Sequence, residues 1–303
     1  MRNIVVVLHP HRAHARQAAL NVCSLLHAEN VTPVMSHDDY AGLVSYEGEP
    51  STPIKVLSAN ELETADPELI MVLGGDGTIL RAAGMYHETA VPIMGINLGH
   101  VGFLAESERK ELEQATQAAI MRQYFVEQRM ALDISVTQDG HLLHRDWALN
   151  EATIEKGRYS SMIEVVVGVD YRPVSSFGCD GVIFATPTGS TAYAFSAGGP
   201  VVWPEVEALL MIPISAHALF TKPLVVSPRS RLGVEFIPTQ SHTDAQLWCD
   251  GQLRFKVPAG ARVEAVRAQK SVSLARLNRD LFTDRLVACL LYTSDAADDS
   301  LRV

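Results

Sequence analysis

Residues 70–78 read Ile-Met-Val-Leu-Gly-Gly-Asp-Gly-Thr, an apolar run that passes straight into a loop holding one carboxylate among three glycines. No other stretch restricts the fold of this chain as much. Ile70 to Leu73 reads as a buried strand, a rigid base, and open α/β sheets place ligands at the carboxyl ends of such strands. Gly74, Gly75 and Gly77 leave backbone N–H groups uncovered, so a phosphate can approach them. Asp76 is then the one side chain of the loop able to take a proton. Carboxylate and glycines together fit phosphoryl transfer to a hydroxyl. A tight turn whose Asp76 caps a helix starting near Thr78 fits the same residues.

A second informative segment follows a hundred residues on. Residues 179–200 read Cys-Asp-Gly-Val-Ile-Phe-Ala-Thr-Pro-Thr-Gly-Ser-Thr-Ala-Tyr-Ala-Phe-Ser-Ala-Gly-Gly-Pro. A short strand, Val182 to Ala185, runs into a stretch of small residues and hydroxyls. Thr186, Thr188, Ser190, Thr191 and Ser196 offer donors and acceptors, and Tyr193 offers a ring to stack on a base together with a hydroxyl. Such a segment suits a ribose and phosphates; a polar surface loop is the plainer reading.

Taken together, the motifs Gly-Gly-Asp-Gly-Thr (74–78), Asn-Leu-Gly-His-Val-Gly-Phe-Leu (97–104), Asn-Glu (150–151), Cys-Asp-Gly (179–181) and Thr-Pro-Thr-Gly-Ser-Thr-Ala-Tyr (186–193) stand in the order and spacing of one family. The chain closely resembles the NAD kinase family in its bacterial form, from its first strand to about Asp284. Phosphofructokinases and diacylglycerol-type lipid kinases share a glycine loop of this kind, but not the 179–200 signature.

The resemblance implies transfer of the γ-phosphoryl group of ATP, or a phosphoryl group of polyphosphate, to the 2′-hydroxyl of the adenosine ribose of NAD. Asp76 matches the family's catalytic aspartate, the base for a hydroxyl that is protonated at neutral pH. Gly74, Gly75, Gly77 and Thr78 form the phosphate loop, with a divalent cation, Mg²⁺, sharing the neutralisation of charge. No Gly-Lys-Ser/Thr ending is present, so the donor site is not of the Walker type. Asn150 and Glu151 match the pair that reads the adenine edge and a ribose. Asp180 matches an aspartate near the nicotinamide half, with structural capping as the alternative. Thr191, Ala192, Tyr193, Ala194, Phe195 and Ser196 form a nucleotide-facing edge. Arg81 lies one helical turn after Thr78, either meeting a phosphate or standing solvated on its helix. Ser161, Gln252, Arg158 and His217 complete the candidate contacts, His217 also reading as a packed core histidine. No protein metal ligands are expected.

Composition sets outer limits. A chain of 303 residues with 47% hydrophobic residues buries a sizeable core and suits two domains. A formal net charge of −10 argues against a nucleic-acid surface. Cys23, Cys179, Cys249 and Cys289 are far apart in sequence and read as free thiols of a reducing, cytoplasmic compartment. No leader and no membrane span is expected. The resemblance adds a homodimer or homotetramer.

Strands and helices alternate up to residue 124, an α/β domain carrying the Gly-Gly-Asp-Gly loop. Strands are expected at Ile4–Leu8, Val31–Met35, Leu69–Leu73 and Val91–Ile96. Helices are expected at Ala13–Glu29, with Leu20, Leu25 and Leu26 inward, at Thr78–Tyr86 and at Glu108–Met121. Ser36–Pro53, rich in Asp, Gly and Pro, reads as a mobile loop. Residues 125–275 read as a mainly β, sandwich-like, NAD-binding domain, with strands at Ala131–Thr137, Ile163–Val169, Val182–Ala185, Leu224–Val226, Leu232–Phe236 and Val263–Ala268. Residues 276–288 return to the first domain. Residues 289–303 read as an acidic tail foreign to the rest, loosely placed from about 292.

Overall fold

The computed structural model describes residues 2–58, 61, 65–98, 102–105, 107–108, 111–157, 162–217, 222–237, 245–278 and 282–290. The chain forms two compact units, one built from residues up to Gln128 together with those from Val272 onward, the other from Arg129–Ser271. Three expectations, for Arg158, for Ser161 and for the tail beyond 290, lie outside the described residues, as do Gly99, His100 and Val101 of the 97–104 motif.

In chain order the first unit contains β1 (Arg2–Leu8), α1 (Ala13–Ala28), β2 (Val31–Ser36), α2 (His37–Glu47), β3 (Lys55–Leu57), β4 (Leu69–Leu73), α3 (Asp76–Tyr86), β5 (Ile93–Asn97), β6 (Ser107–Glu108), α4 (Leu112–Met121) and β7 (Phe125–Arg129). The second holds β8 (Leu132–Gln138), β9 (His141–Ala148), β10 (Glu151–Lys156), β11 (Ile163–Val169), β12 (Arg172–Cys179), β13 (Gly181–Ala185), a 3₁₀ turn Thr188–Thr191, α5 (Tyr193–Ser196), β14 (Leu209–Ile214), β15 (Leu224–Val226), β16 (Leu232–Phe236), β17 (Ala245–Cys249), β18 (Gln252–Val257) and β19 (Arg262–Arg267). Then β20 (Val272–Arg276) and α6 (Phe282–Leu290) return to the first unit.

The strands of the first unit lie in the order β3-β2-β1-β4-β5-β20-β7, with β6 beside β5. β1 runs parallel to both β2 and β4, and β4 parallel to β5. Every residue of β4 and of β5 is buried, so hydrophobic burial fixes both strands from both faces. Successive connections leave β1 toward β2 on one side and β4 toward β5 on the other. The chain therefore reverses its direction of progress between β1 and β4, and the carboxyl ends of those two strands open onto a crevice.

Two helices differ from the sequence expectation. The inward face of α1 is made of Ala15, Ala18, Ala19, Val22, Cys23 and Leu26, while Leu20 and Leu25 are only half-buried. Small residues let the helix sit close to the sheet. The segment Ser36–Pro53 is not a loop throughout, because α2 occupies His37–Glu47. Ser36 caps it: its Oγ accepts the Asp39 N–H at 3.0 Å and donates to Asp39 Oδ2 at 2.9 Å. Such a cap contributes about 1 kcal/mol, enough to tip a short segment of indifferent composition. Gly48, at φ 78°, ends the helix.

The second unit is a sandwich of two antiparallel sheets, β15-β14-β13-β10-β17-β18 and β12-β11-β16-β19-β8-β9. Alternate residues of both sheets, among them Leu132, Ile134, Ile154, Val165, Val182, Phe184, Val234 and Val263, meet in one core. Of five strands that the sequence reading omits, β9, β12 and β18 form sheet edges, where apolar runs are not required, and β10 and β17 are inner strands whose apolar run is interrupted by Glu151, Thr153 and Glu155 in one and by Gln246 in the other. A sixth, β14, contains Pro213, which lies beyond Leu209–Met211, the only β14 residues that β15 pairs. Turn chemistry marks two of these hairpins. Asp139-Gly140 and Asp250-Gly251 all have positive φ, the conformation a two-residue hairpin turn requires. In the first unit β3 and β20 were likewise not expected as strands.

Candidate active site

In the first unit the crevice at the ends of β1 and β4 has a volume of about 420 Å³. It is lined by His9, Pro10, His11 and Arg12 after β1, and by Gly75, Gly77, Thr78 and Arg81 after β4. Two helices begin at this point, α1 with Arg12 at its N-cap and α3 with Gly75 at its N-cap. Neither N-cap residue makes a side-chain capping hydrogen bond. Two helix N-termini thus meet the same space without side-chain caps, and both favour negative charge there. A Cβ added at Gly75 or Gly77 would meet no atom within 4 Å, so the loop faces open space. Gly74 differs, since its Cβ would lie 2.5 Å from Thr78 Oγ1.

Arg81 stands at the crevice as an anchored side chain and not a freely solvated one. Its Nη2 donates to the Leu8 carbonyl at 2.7 Å and to Asp39 Oδ1 at 2.8 Å, and the Asp39 side chain is fully buried. His9 has a buried Nδ1 without a hydrogen-bond partner, and burial together with the Arg12 charge lowers its pKa. The crevice therefore offers guanidinium, imidazole and helix N–H groups and no carboxylate among its lining residues.

Asp76 is the first residue of α3 and follows its N-cap Gly75, so the helix begins two residues before the Thr78 of the sequence reading. Its carboxylate is held from outside the helix: Oδ2 accepts the Phe103 N–H at 2.9 Å and Oδ1 the Leu104 N–H at 3.1 Å. Burial first and the Asp76 charge second push the Cys289 thiol up. Cys289 sits in α6, which runs on to Leu290, so residues 289 and 290, where the sequence reading begins the foreign tail, are helical.

In the second unit Asn150 and Glu151 stand at the start of β10 and are 8% and 7% exposed. Asp250, in its hairpin turn, accepts the N–H groups of Leu149 and Asn150 at 2.8 Å each and of Glu151 at 3.3 Å. The backbone of the pair is fully engaged while the side chains are not. Asn150 Oδ1 and Glu151 Oε2 are buried without a partner, which is costly unless something else pairs with them. Burial, and then the neighbouring Asp250 charge, raise the Glu151 carboxyl to about 8 against the lowering effect of the Tyr193 backbone N–H. Beside them Tyr193 and Phe195 are each 41% exposed, an unusual state for aromatic rings on one short helix.

The hydroxyls of this segment divide into two groups. Thr186 is wholly buried and donates to the Leu149 carbonyl at 2.6 Å, and Ser190 donates to Pro187 O and accepts the Val202 N–H. These two build the turn and are not available to a ligand. Ser196 is exposed, and Thr191 is half-buried with a weak bond to Thr188 O at 3.3 Å. Ala192 is half-buried, whereas Ala194 is fully buried in a core with Ile183, Leu210 and Ile212, so its methyl faces inward. Asp180 forms an ion pair with Lys156 at 2.7 Å, and that bond holds its carboxyl below the usual range. His217 is exposed and bridges Gly178, so the packed-core reading fails for it. Gln252 opens the edge strand β18 in an exposed position.

His9, His11, Arg12, Asp39 and Asp250 had no part in the sequence reading of the site. His-Pro-His-Arg directly after an apolar strand was a usable signal for the first three, by the same logic that singled out 74–78.

Comparison with known proteins points to one family. The ATP-NAD kinase N-terminal domain model matches residues 4–124 and the ATP-NAD kinase C-terminal domain model residues 149–277. An NAD kinase of Leifsonia xyli is 51% identical over 94% of this chain and 93% of its own. An NAD kinase 2 of Streptomyces avermitilis is 58% identical over 73% of each. Among solved structures, an NAD kinase from Archaeoglobus fulgidus in complex with ATP superposes with a TM-score of 0.68 at 28% identity, covering 94% of this chain and 99% of that one. Yeast NADH kinase complexed with NADH superposes with a TM-score of 0.86 at 24% identity, covering 96% and 87%, a likeness of fold. The chain belongs to the NAD kinase family, ATP-dependent phosphotransferases that convert NAD to NADP by phosphorylating the 2′-hydroxyl of its adenosine ribose.

Proposed function

We propose that the crevice after β1 and β4 receives the phosphates of ATP, and that Asp76 is the base that accepts the 2′-hydroxyl proton of NAD. A phosphoryl transfer of this kind demands positioning and charge neutralisation more than covalent chemistry from the protein. Gly75 and Gly77 leave room for the phosphates, and Arg12, Arg81 and two helix N-termini supply positive potential. Mg²⁺ requires oxygen ligands, and the crevice lining suits phosphate and not a bare cation, so the oxygens of the nucleotide would hold the ion. Bound in that way it would supply charge neutralisation to the phosphoryl groups.

Asn150 and Glu151 read the adenine edge and ribose of NAD, with Tyr193, Phe195, Thr191, Ala192 and Ser196 along the nucleotide. The unpaired buried Oδ1 and Oε2 support this reading, since a ligand donor removes the cost of leaving them bare. Asp180, His217 and Gln252 have weaker support, Asp180 because Lys156 already pairs with it. Among the described residues no helix is long and apolar enough to cross a membrane. The same reading makes the enzyme a cytoplasmic homodimer or homotetramer, which sedimentation of the purified chain measures.

The observation that carries the proposal is the open glycine loop at the switch between β1 and β4, with Asp76 in that loop at the start of α3 and its carboxylate turned to residues 102–104. An assay of NADP formation from NAD and ATP with Mg²⁺ tests it. Product formation that is lost in Asp76→Asn supports it, and a variant that keeps the wild-type rate overturns it.

A further inference from the structure

Residues 103–105 form a short segment whose polar backbone atoms are taken up from two sides. On one side the Phe103 and Leu104 N–H groups point at the two oxygens of Asp76. On the other side the three carbonyls are each claimed by an arginine. Arg276, at the end of β20, donates from Nη1 to the Leu104 carbonyl at 2.9 Å. Arg285, in α6, donates from Nη1 to the carbonyls of Phe103 and Ala105 at 3.3 Å each. The Phe103 ring lies 6.2 Å from that of Phe282, the first residue of α6. Gly102 precedes the segment, and a Cβ there would collide with the Asp76 carboxylate.

Arg276 is itself fixed. It is 2% exposed, and its Nε donates to Glu127 Oε2 at 2.8 Å. A fully buried guanidinium is expensive, and it is retained where it bonds to several groups at once. Arg285 makes two longer bonds from a half-buried position, so it adjusts the segment more than it carries the fold.

We propose that Arg276 and Arg285 are positioning residues for the phosphoryl transfer: they hold residues 103–105 so that two backbone N–H groups orient the Asp76 carboxylate. The inference rests on Asp76 being the base. A carboxylate gripped at both oxygens has one fixed plane, leaving its remaining lone pairs aimed in fixed directions. Release of the segment lets it rotate, and small displacements of a reacting group cost large factors in rate. Arg276 and Arg285 thereby act on Asp76 through the backbone of residues 103–105.

Arg285→Ala and Arg285→Lys, made in the full chain, test the proposal, with Asp76→Asn alongside. Arg285→Ala is expected to lower kcat roughly 10-fold while the KM values for NAD and ATP stay within about 2-fold. Amide exchange of Phe103 and Leu104 is expected to quicken by about 10-fold, with the rest of the sheet protected as before. Arg285→Lys restores most of the rate, because an ammonium still reaches a carbonyl. Unchanged kcat in Arg285→Ala, unchanged exchange at Phe103 and Leu104, or a KM rise in place of a kcat fall each overturns the proposal. So does a rate loss matched by loss of folded protein in circular dichroism for both variants. If Asp76→Asn is inactive while Arg285→Ala is wild-type, this inference fails and the assignment of Asp76 stands. If Asp76→Asn retains its rate, both fail.

Discussion

Gly189 lies so close to Asn150 that a Cβ at Gly189 would overlap the Asn150 carbonyl, with the Asn150 Cα also within 2.9 Å. The Asn150 carbonyl also accepts the Thr186 N–H at 2.9 Å, and Gly189 donates its own N–H to Thr186 Oγ1 at 3.1 Å. The 186–190 turn is therefore stacked directly on the residue whose side-chain oxygen is buried and unpaired. Gly189→Ala is expected to push the turn off Asn150, destabilise the chain by about 1–3 kcal/mol and weaken NAD binding. Denaturant melts and isothermal titration with NAD measure the two effects.

Asn150→Ala removes the unpaired oxygen without moving the backbone. NAD affinity should fall by about 1–3 kcal/mol while kcat changes little. Titration and steady-state kinetics separate the two, and an unchanged affinity places the adenine pocket elsewhere.

Asp76→Asn keeps the shape and one acceptor oxygen and removes the base. Turnover should fall by about 10²–10⁴ while NAD still binds. Single-turnover rates with saturating ATP check this free of product release.

Asp39→Asn weakens the buried partner of Arg81 and leaves the Ser36 cap partly in place. Its expected result is a KM for ATP raised by about 3- to 10-fold with the KM for NAD unchanged. Arg12→Ala should act in the same direction. An effect confined to NAD instead would remove Arg81 from the phosphate side.

Glu151 gives the protein a pH dependence of definite sign. Its carboxyl is raised to about 8 in the folded chain and lies near 4.5 when unfolded. Between those values the folded chain holds a proton that the unfolded chain releases. The contribution is fully present below the unfolded value and declines as pH rises through the folded one, by on the order of a few kcal/mol. Urea midpoints of the wild type should fall from pH 5 to pH 9 more steeply than those of Glu151→Gln.

The strand–loop of 70–78, the α/β and β-rich halves and the family are legible in the order of the residues, because these are local patterns: an apolar run, a glycine loop, a run of hydroxyls. Three strands, Ile163–Val169, Leu224–Val226 and Leu232–Phe236, have the bounds their alternation gives. The edge strands β9, β12 and β18 escaped such a reading, since an edge needs no apolar face, and so did α2, whose cap depends on two residues and not on a period. Tertiary structure alone decided what each polar group meets. It turned Thr186 and Ser190 into turn-builders, buried Ala194, paired Asp180 with Lys156 and Arg81 with Asp39, and brought Arg276 and Arg285 behind the segment that grips Asp76. Apart from the local Ser190–Pro187 bond, those hydrogen bonds and ion pairs span from 24 to 182 residues of chain, and no local spacing encodes a partner that arrives only when the sheet closes.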